Sequence, residues 1–247
     1  MIISQDPPNK RYDPNVNLGT WSSISQVDTF LNRFNHSNGY KDGDTKLSVG
    51  NYVTIQYGSS TRILEIAGFD VESKQKATDG SIYDNGYGIM LIPKTSLDSA
   101  GWNKSSGAVG GYYSSTMHNT HIPDVVAKLK NTLGDHIVNR NVLLSNSVDS
   151  QYNSNGYKWT KAEATLMSVG QMTGTFGMYN NRYDDGEANY KLPIFNFKEY
   201  KTGSNFWTRG ICGNNRSDII FYIDNKGNPN SGGYSAWFGI RSLIYIR

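Results

Sequence analysis

The sequence predicts an α+β fold, with a mainly antiparallel sheet, two main helices and long polar loops. Three observations predict it. Short apolar and aromatic runs recur along the chain and crowd its last stretch. There Phe206-Trp207-Thr208-Arg209-Gly210, Ile219-Ile220-Phe221-Tyr222-Ile223 and a run over 237–246 follow one another. Two segments carry apolar residues at helical spacing. The joining segments are made largely of Asn, Gly, Ser and Asp, which favour turns. A rigid sheet carrying long hydrogen-bonding loops is a way to present a binding surface.

Taken in order, residues 4–18 hold Pro7, Pro8 and Pro14 among polar residues, an extended arm that is either disordered or laid against a partner. The arm is bounded at residues 1–20, and residues 21–247 form one domain. A helix is expected over 21–34, with Ile24, Val27, Phe30, Leu31 and Phe34 on one face and Ser22 or Ser23 as cap. Asn38-Gly39 and Asp42-Gly43 mark turns. Residues 49–57 and 62–70 form a hairpin across Gly58-Ser59-Ser60, and a short buried strand over 89–92 follows the turn Asp84-Asn85-Gly86. A second helix follows Gly110-Gly111, with Met117, Ile122, Val125, Val126, Leu129 and Leu133 as its buried stripe. Pro123 suits its first turn and Gly134 its C-terminal cap. Residues 149–157 are a polar loop. Leu166-Met167-Ser168-Val169-Gly170-Gln171 runs from strand into helix, with Ser168 and Gln171 as a capping-box pair. Residues 173–191 form another polar loop before the closing sheet, whose loop spans 213–236.

The 247 residues allow a sizeable core. Charged residues are 18%, against roughly 25% in ordinary soluble domains. Polarity comes instead from 26 Gly, 26 Asn and 17 Tyr, the residue types that contact loops use. A net charge of +3 with no Lys/Arg block argues against nucleic acid as a partner. The lone Cys212 excludes an intrachain disulfide framework. The first residues lack the basic and apolar regions of a signal peptide, and no apolar run nears the roughly 20 residues that span a bilayer. The expectation is a soluble protein made in a bacterial cytoplasm, without membrane insertion.

A resemblance adds to this reading. Gly43-Asp44-Thr45-Lys46, Gly110-Gly111-Tyr112 with Ser115 and Met117, Leu166-Met167-Ser168, Phe206-Trp207-Thr208-Arg209 and Gly239-Ile240-Arg241 resemble a domain family of unknown function from phages and prophages of Gram-positive bacteria. The Phe-Trp-x-Arg and Gly-Ile-Arg segments also resemble C-type-lectin-like folds. Those include formylglycine-generating-enzyme-like domains and the variable proteins diversified by phage retroelements, which place variable Asn, Tyr, Ser and Asp positions where residues 213–236 lie. The resemblance implies a C-type-lectin-like ligand-binding scaffold, often on a virion. The chain departs from lectins proper in lacking their Glu-Pro-Asn and Trp-Asn-Asp calcium motifs, and from the oxidase in lacking paired cysteines.

Candidate chemistry is sparse. His118, His121 and Asp124 have a spacing that suits metal ligands on one helical face, but Pro123 starts the helix after His121, so helix entry and capping is preferred. Asp184, Asp185 and Glu187 suit a hard cation such as calcium or a solvated turn, and do not match a twelve-residue EF-hand loop. Cys212 has no neighbouring base and is taken as a structural thiol. Ser168 lacks a nucleophile-elbow context, and Gly107, Gly110 and Gly111 form a turn rather than a phosphate loop. Arg209 and Arg241 lie in apolar strands, where each guanidinium is expected to satisfy carbonyls or a carboxylate and pin the loops.

The expected function is therefore that of a non-enzymatic phage virion surface protein, a decoration, fibre-tip or receptor-binding subunit forming a homo-oligomer. Its arm would dock on other virion proteins. Its loops would bind a host-surface glycan or protein through Tyr152, Tyr179, Tyr183, Asn214, Asn215, Arg216, Tyr222, Asn230, Tyr234 and Trp237. No cofactor and no metal is expected. The alternatives are a formylglycine-generating-like or glycan-hydrolysing enzyme, the latter with Glu163 and Asp185 as the conceivable acid pair, or a purely architectural subunit.

Overall fold

A computed structural model describes residues 11–34, 47–76, 80–104, 107–148, 154–174, 182–183, 191–199, 202–212 and 219–247. The first half of the chain forms β1 (Asn17–Trp21), α1 (Ile24–Phe34), β2 (Tyr52–Tyr57), β3 (Ser60–Phe69), β4 (Lys74–Lys76), β5 (Ile82–Asp84), β6 (Ile89–Pro93), β7 (Asp98–Ala100) and α2 (Ile122–Leu133). Then come β8 (Arg140–Val148), β9 (Ser154–Ala162), β10 (Ala164–Leu166), α3 (Val169–Thr173) and β11 (Arg182–Tyr183). The closing stretch holds β12 (Phe206–Cys212), β13 (Ile219–Ile223), β14 (Pro229–Gly233), β15 (Phe238–Ile240) and β16 (Ser242–Ile246). The fold is α+β.

Two sheets carry it. The first has the order β1-β2-β3-β6-β16-β10 and is antiparallel except where β1 joins β2. The second has the order β14-β13-β12-β15-β7. Because β13 occupies one edge of β12, the parallel strand β15 and the short β11 share its other edge. Two hairpins, β4–β5 and β8–β9, stand outside both sheets and meet through stacked Tyr83 and Trp159 rings, 4.2 Å apart.

Local sequence accounts for most elements. Strand β2 alternates, with Val53, Ile55 and Tyr57 buried, whereas every residue of β6 and β16, two central strands of the first sheet, is buried. Helix α1 begins at Ile24 rather than at residue 21, since Trp21 is held in β1; Gln26 Oε1 accepts from the amides of Ser22 (2.6 Å) and Ser23 (3.2 Å). Of the expected face, Val27, Phe30 and Leu31 turn inward, Ile24 at the first position of the helix is exposed, and the Phe34 side chain lies outside the described set. Helix α2 buries its expected stripe against β2, β10 and α1. A π-helical turn over Met117–His121 leads into it, and Gly134, at φ 58°, closes it in a conformation that a side chain resists. The capping box of α3 is complete, with Ser168 Oγ accepting from Gln171 N (3.0 Å) and Gln171 Oε1 accepting from Ser168 N (2.9 Å).

Three expectations need correction. Residues 11–20 are not a free arm: Asp13 N donates to Val49 O, Val49 N to Arg11 O, and β1 joins the first sheet. The expected 213–236 loop contains two strands, the apolar β13 and the polar segment Pro229–Gly233, which pairs with β13 residue for residue. Pro229 is tolerated there as the first residue of an edge strand. The apolar run over 237–246 is two strands, β15 in the second sheet and β16 in the first, and Arg241 is the residue at which the chain changes sheets.

Candidate functional site

The second sheet sorts its aromatic residues by face. Trp207, Tyr222 and Asn230 are cross-strand neighbours in β12, β13 and β14. Phe238 packs its ring on Trp207 (4.6 Å between centroids) and on Tyr222 (4.4 Å), and Trp207 Nε1 donates to Ala100 O at 2.8 Å. Trp207 is fully enclosed, Tyr222 half-buried and Asn230 exposed, so this row runs from core to rim.

Trp237 behaves differently. Its side chain is 70% exposed, while Nε1 donates to Ser99 Oγ at 2.8 Å. Side chains alternate along β7 and β15, and Gly239 faces Ser99 across the pair. Having no side chain, Gly239 leaves the indole free to lean diagonally onto the serine; a Cβ there would lie 2.0 Å from Ser96 Oγ. Phe238 points to one side of the sheet and Trp237 to the other. Between β14 and β15 the chain crosses over, with Tyr234 O accepting from the amides of Trp102 (2.9 Å) and Asn103 (3.2 Å). Tyr234 is half-buried against the core.

Among the described residues, the expected contact residues do not form one continuous face. Tyr222 and Asn230 are brought together, Tyr234 and Trp237 sit on the crossover, and Tyr222 and Trp237 address opposite sides of the sheet. Tyr152, Tyr179, Asn214, Asn215 and Arg216 lie outside the described residues, as do Asp184, Asp185 and Glu187. Tyr183 is in β11 and Cys212 in β12, with side chains outside the described set.

Arg209 and Arg241 are buried. Arg241 Nε donates to Pro93 O at 2.6 Å, its guanidinium lies 5.3 Å from the Phe206 ring centroid, and Nη2 is 3.9 Å from Glu65 Oε2. Burial draws its pKa down to about 10. Glu65 is also held by Lys198 Nζ at 2.5 Å, and burial lowers that lysine's pKa. Arg209 Nη1 (3.4 Å) and Arg140 Nη2 (3.1 Å) converge on Thr165 Oγ1. Arg140 pairs with Glu72, whose Oε1 accepts from Gln171 Nε2 at 2.8 Å. Asp70 and Glu72 have φ of 53° and 61°, a strained pair fastened by Gly88 N to Asp70 Oδ1 and Asn85 Nδ2 to Glu72 O. Sequence reasoning missed Glu72, Arg140, Glu65 and Lys198. A visible signal was Glu65 inside the apolar run Ile63-Leu64-Glu65-Ile66.

His118 lies between the Tyr112 (5.1 Å) and Tyr113 (6.0 Å) rings, and burial, helped by the Arg209 charge, pushes its pKa down to about 4. Among the described residues no group of three or more His, Cys, Asp or Glu is gathered to hold a metal, so His118, His121 and Asp124 do not converge. Glu163 is committed to Lys130 at 2.5 Å, and its conceivable partner Asp185 is outside the described residues. Ser168 is occupied as a cap. No described helix is long and apolar enough to cross a membrane. Comparison with family models, curated proteins and solved structures finds no match to this chain.

Proposed function

We propose that the chain is a non-enzymatic surface subunit of a phage virion, with a C-type-lectin-like arrangement, that recognises a host surface through its second sheet and its loops. The observation that carries this reading is Trp237, a large aromatic side chain 70% exposed yet held in one orientation by Ser99. An exposed, pre-oriented indole loses little entropy on contact, the property of an anchor residue. The scaffold reading is supported by α1 and α2 packed with an antiparallel sheet, followed by a second sheet built on the Phe-Trp-x-Arg strand and leaving through Gly-Ile-Arg. Docking on neighbouring virion proteins falls to the chain ahead of residue 11, since residues 11–20 are engaged on the protein's own sheet. Repetition in a homo-oligomer would convert weak single contacts into avidity.

The test is to label the chain in purified particles and compare host adsorption of wild-type and Trp237→Ala particles. Surface labelling with adsorption reduced at least severalfold in the variant is expected. Absence from particles, or unchanged adsorption, overturns the reading.

A further inference from the structure

Trp237 differs from every other tryptophan of the chain. Trp21, Trp102 and Trp207 are buried, and Trp159 is half-buried under Tyr83. Its single polar atom is already used, because Nε1 donates to Ser99 Oγ. What remains for a partner is the π-surface alone, in a fixed orientation.

The surroundings narrow the partner. The chain flanking the ring is Tyr234-Ser235-Ala236 on one side and Phe238-Gly239 on the other, all uncharged. On β7, Asp98 is the acidic neighbour of Ser99, but it points to the opposite side, where its Oδ2 accepts from Tyr57 OH (2.5 Å) and Lys128 Nζ (2.8 Å). A cationic group drawn to the indole would want a carboxylate beside the ring, and that carboxylate is turned away and neutralised. A nucleobase would bring phosphates needing Lys or Arg, and the flanking residues supply none. A large apolar protein contact needs a continuous apolar patch, whereas this ring is bonded to exposed Ser99 and lies two residues from exposed Ser235 in the chain. The ligand that suits a negative π-face bordered by neutral hydroxyl groups presents C–H bonds to the ring and hydroxyls around its edge.

We propose that Trp237 is the stacking platform for a neutral pyranose ring of a glycan, with Ser99 as the positioning residue that holds the indole flat to it. This rests on the recognition reading above and specifies its ligand.

The experiment uses the full chain with maltohexaose, cellohexaose and chitohexaose as neutral probes and polygalacturonate as the charged comparison. Trp237 is the exposed indole, so acrylamide quenching of tryptophan emission reports on it. A neutral hexasaccharide is expected to shield the emission; Trp237→Ala removes the shielding and weakens binding about tenfold, and Trp237→Phe restores part of it. Ser99→Ala weakens binding while leaving the emission quenchable. Failure of all three neutral probes to shield, equal binding by Trp237→Ala, or preference for polygalacturonate overturns the proposal. Adsorption to periodate-oxidised host cells separates the two levels. Adsorption that survives oxidation but still requires Trp237 keeps recognition and removes the glycan, whereas adsorption that never requires Trp237 removes both.

Discussion

Tyr222 and Trp237 look alike in the sequence, two aromatic residues beside Asn- and Gly-rich segments, yet they do opposite work. Tyr222 is clamped between Phe238 and Trp207, with Gly232 under its ring. Trp237 touches solvent over most of its surface. Tyr222→Ala should therefore cost about 2–3 kcal/mol by urea denaturation, and Trp237→Ala less than about 0.5 kcal/mol. A large loss of stability in Trp237→Ala would return that residue to the core. His118 gives a pH test. Its folded pKa, about 4, lies below the unfolded value of 6.5, so the unfolded chain binds the extra proton between those limits. Its contribution to stability is complete above pH 6.5, shrinks as pH falls toward 4 and changes no further below that; the whole loss is at most about 3 kcal/mol. His118→Gln should flatten the curve of urea midpoint against pH in that window. Which aromatic faces water was not legible because it depends on pairings between strands distant in the chain, β15 with β7 above all, and on β14, whose pairing with β13 is invisible in a Pro-Asn-Ser-Gly-Gly segment.

Elements whose causes are local could be read from the chain. The stripe and Gly134 of α2, the β2–β3 hairpin and the Ser168/Gln171 box each rest on residues a few positions apart. Ser168→Ala should cost about 1–2 kcal/mol in thermal or urea unfolding, near the upper range for a cap because the serine is buried and both halves of the box are present. Elements fixed by distant partners could not be read. Strand β1 depends on Tyr52, Thr54 and Ile55, β15 on Ser99, and the break at Arg241 on Pro93 and Glu65. An apolar run over 237–246 carries no internal mark of a change of sheet, except that Arg241 is a charge where burial is costly. Gly239→Ala is expected to destabilise strongly, since its Cβ would meet Ser96 Oγ at 2.0 Å and Asn205 O at 3.1 Å, and to disturb Trp237 orientation, seen as altered indole emission.

At the scale of the molecule, the two sheets are fastened to each other by covalent chain at Arg241 and by side-chain bonds between them, Arg209 Nη1 of β12 to Thr165 Oγ1 of β10 and Tyr57 OH of β2 to Asp98 Oδ2 of β7. The ionic pairs Glu65–Lys198 and Glu72–Arg140 tie further segments to this junction. Loss of either sheet would strand buried charges, so near- and far-ultraviolet circular dichroism should show one coincident urea transition. Arg241→Met removes the bond to Pro93 O and is expected to lower the midpoint by about 3 kcal/mol equivalent without splitting that transition. Two separate transitions would make the sheets independent units.

The strand order also constrains how the chain reaches this state. β6, the run Ile89–Pro93, has β3 on one side and β16 on the other, and β16 is supplied from the far end of the described chain. Throughout emergence from the ribosome, one rim of Ile89-Met90-Leu91-Ile92 therefore waits bare while α2, β8–β9 and the whole second sheet are made. A greasy, unsatisfied rim held open that long is an invitation to a holdase, and to self-association where none is at hand. Refolding should accordingly be slow and yield-limited by protein concentration, governed by late arrival of one central strand rather than by any weakness of the finished fold.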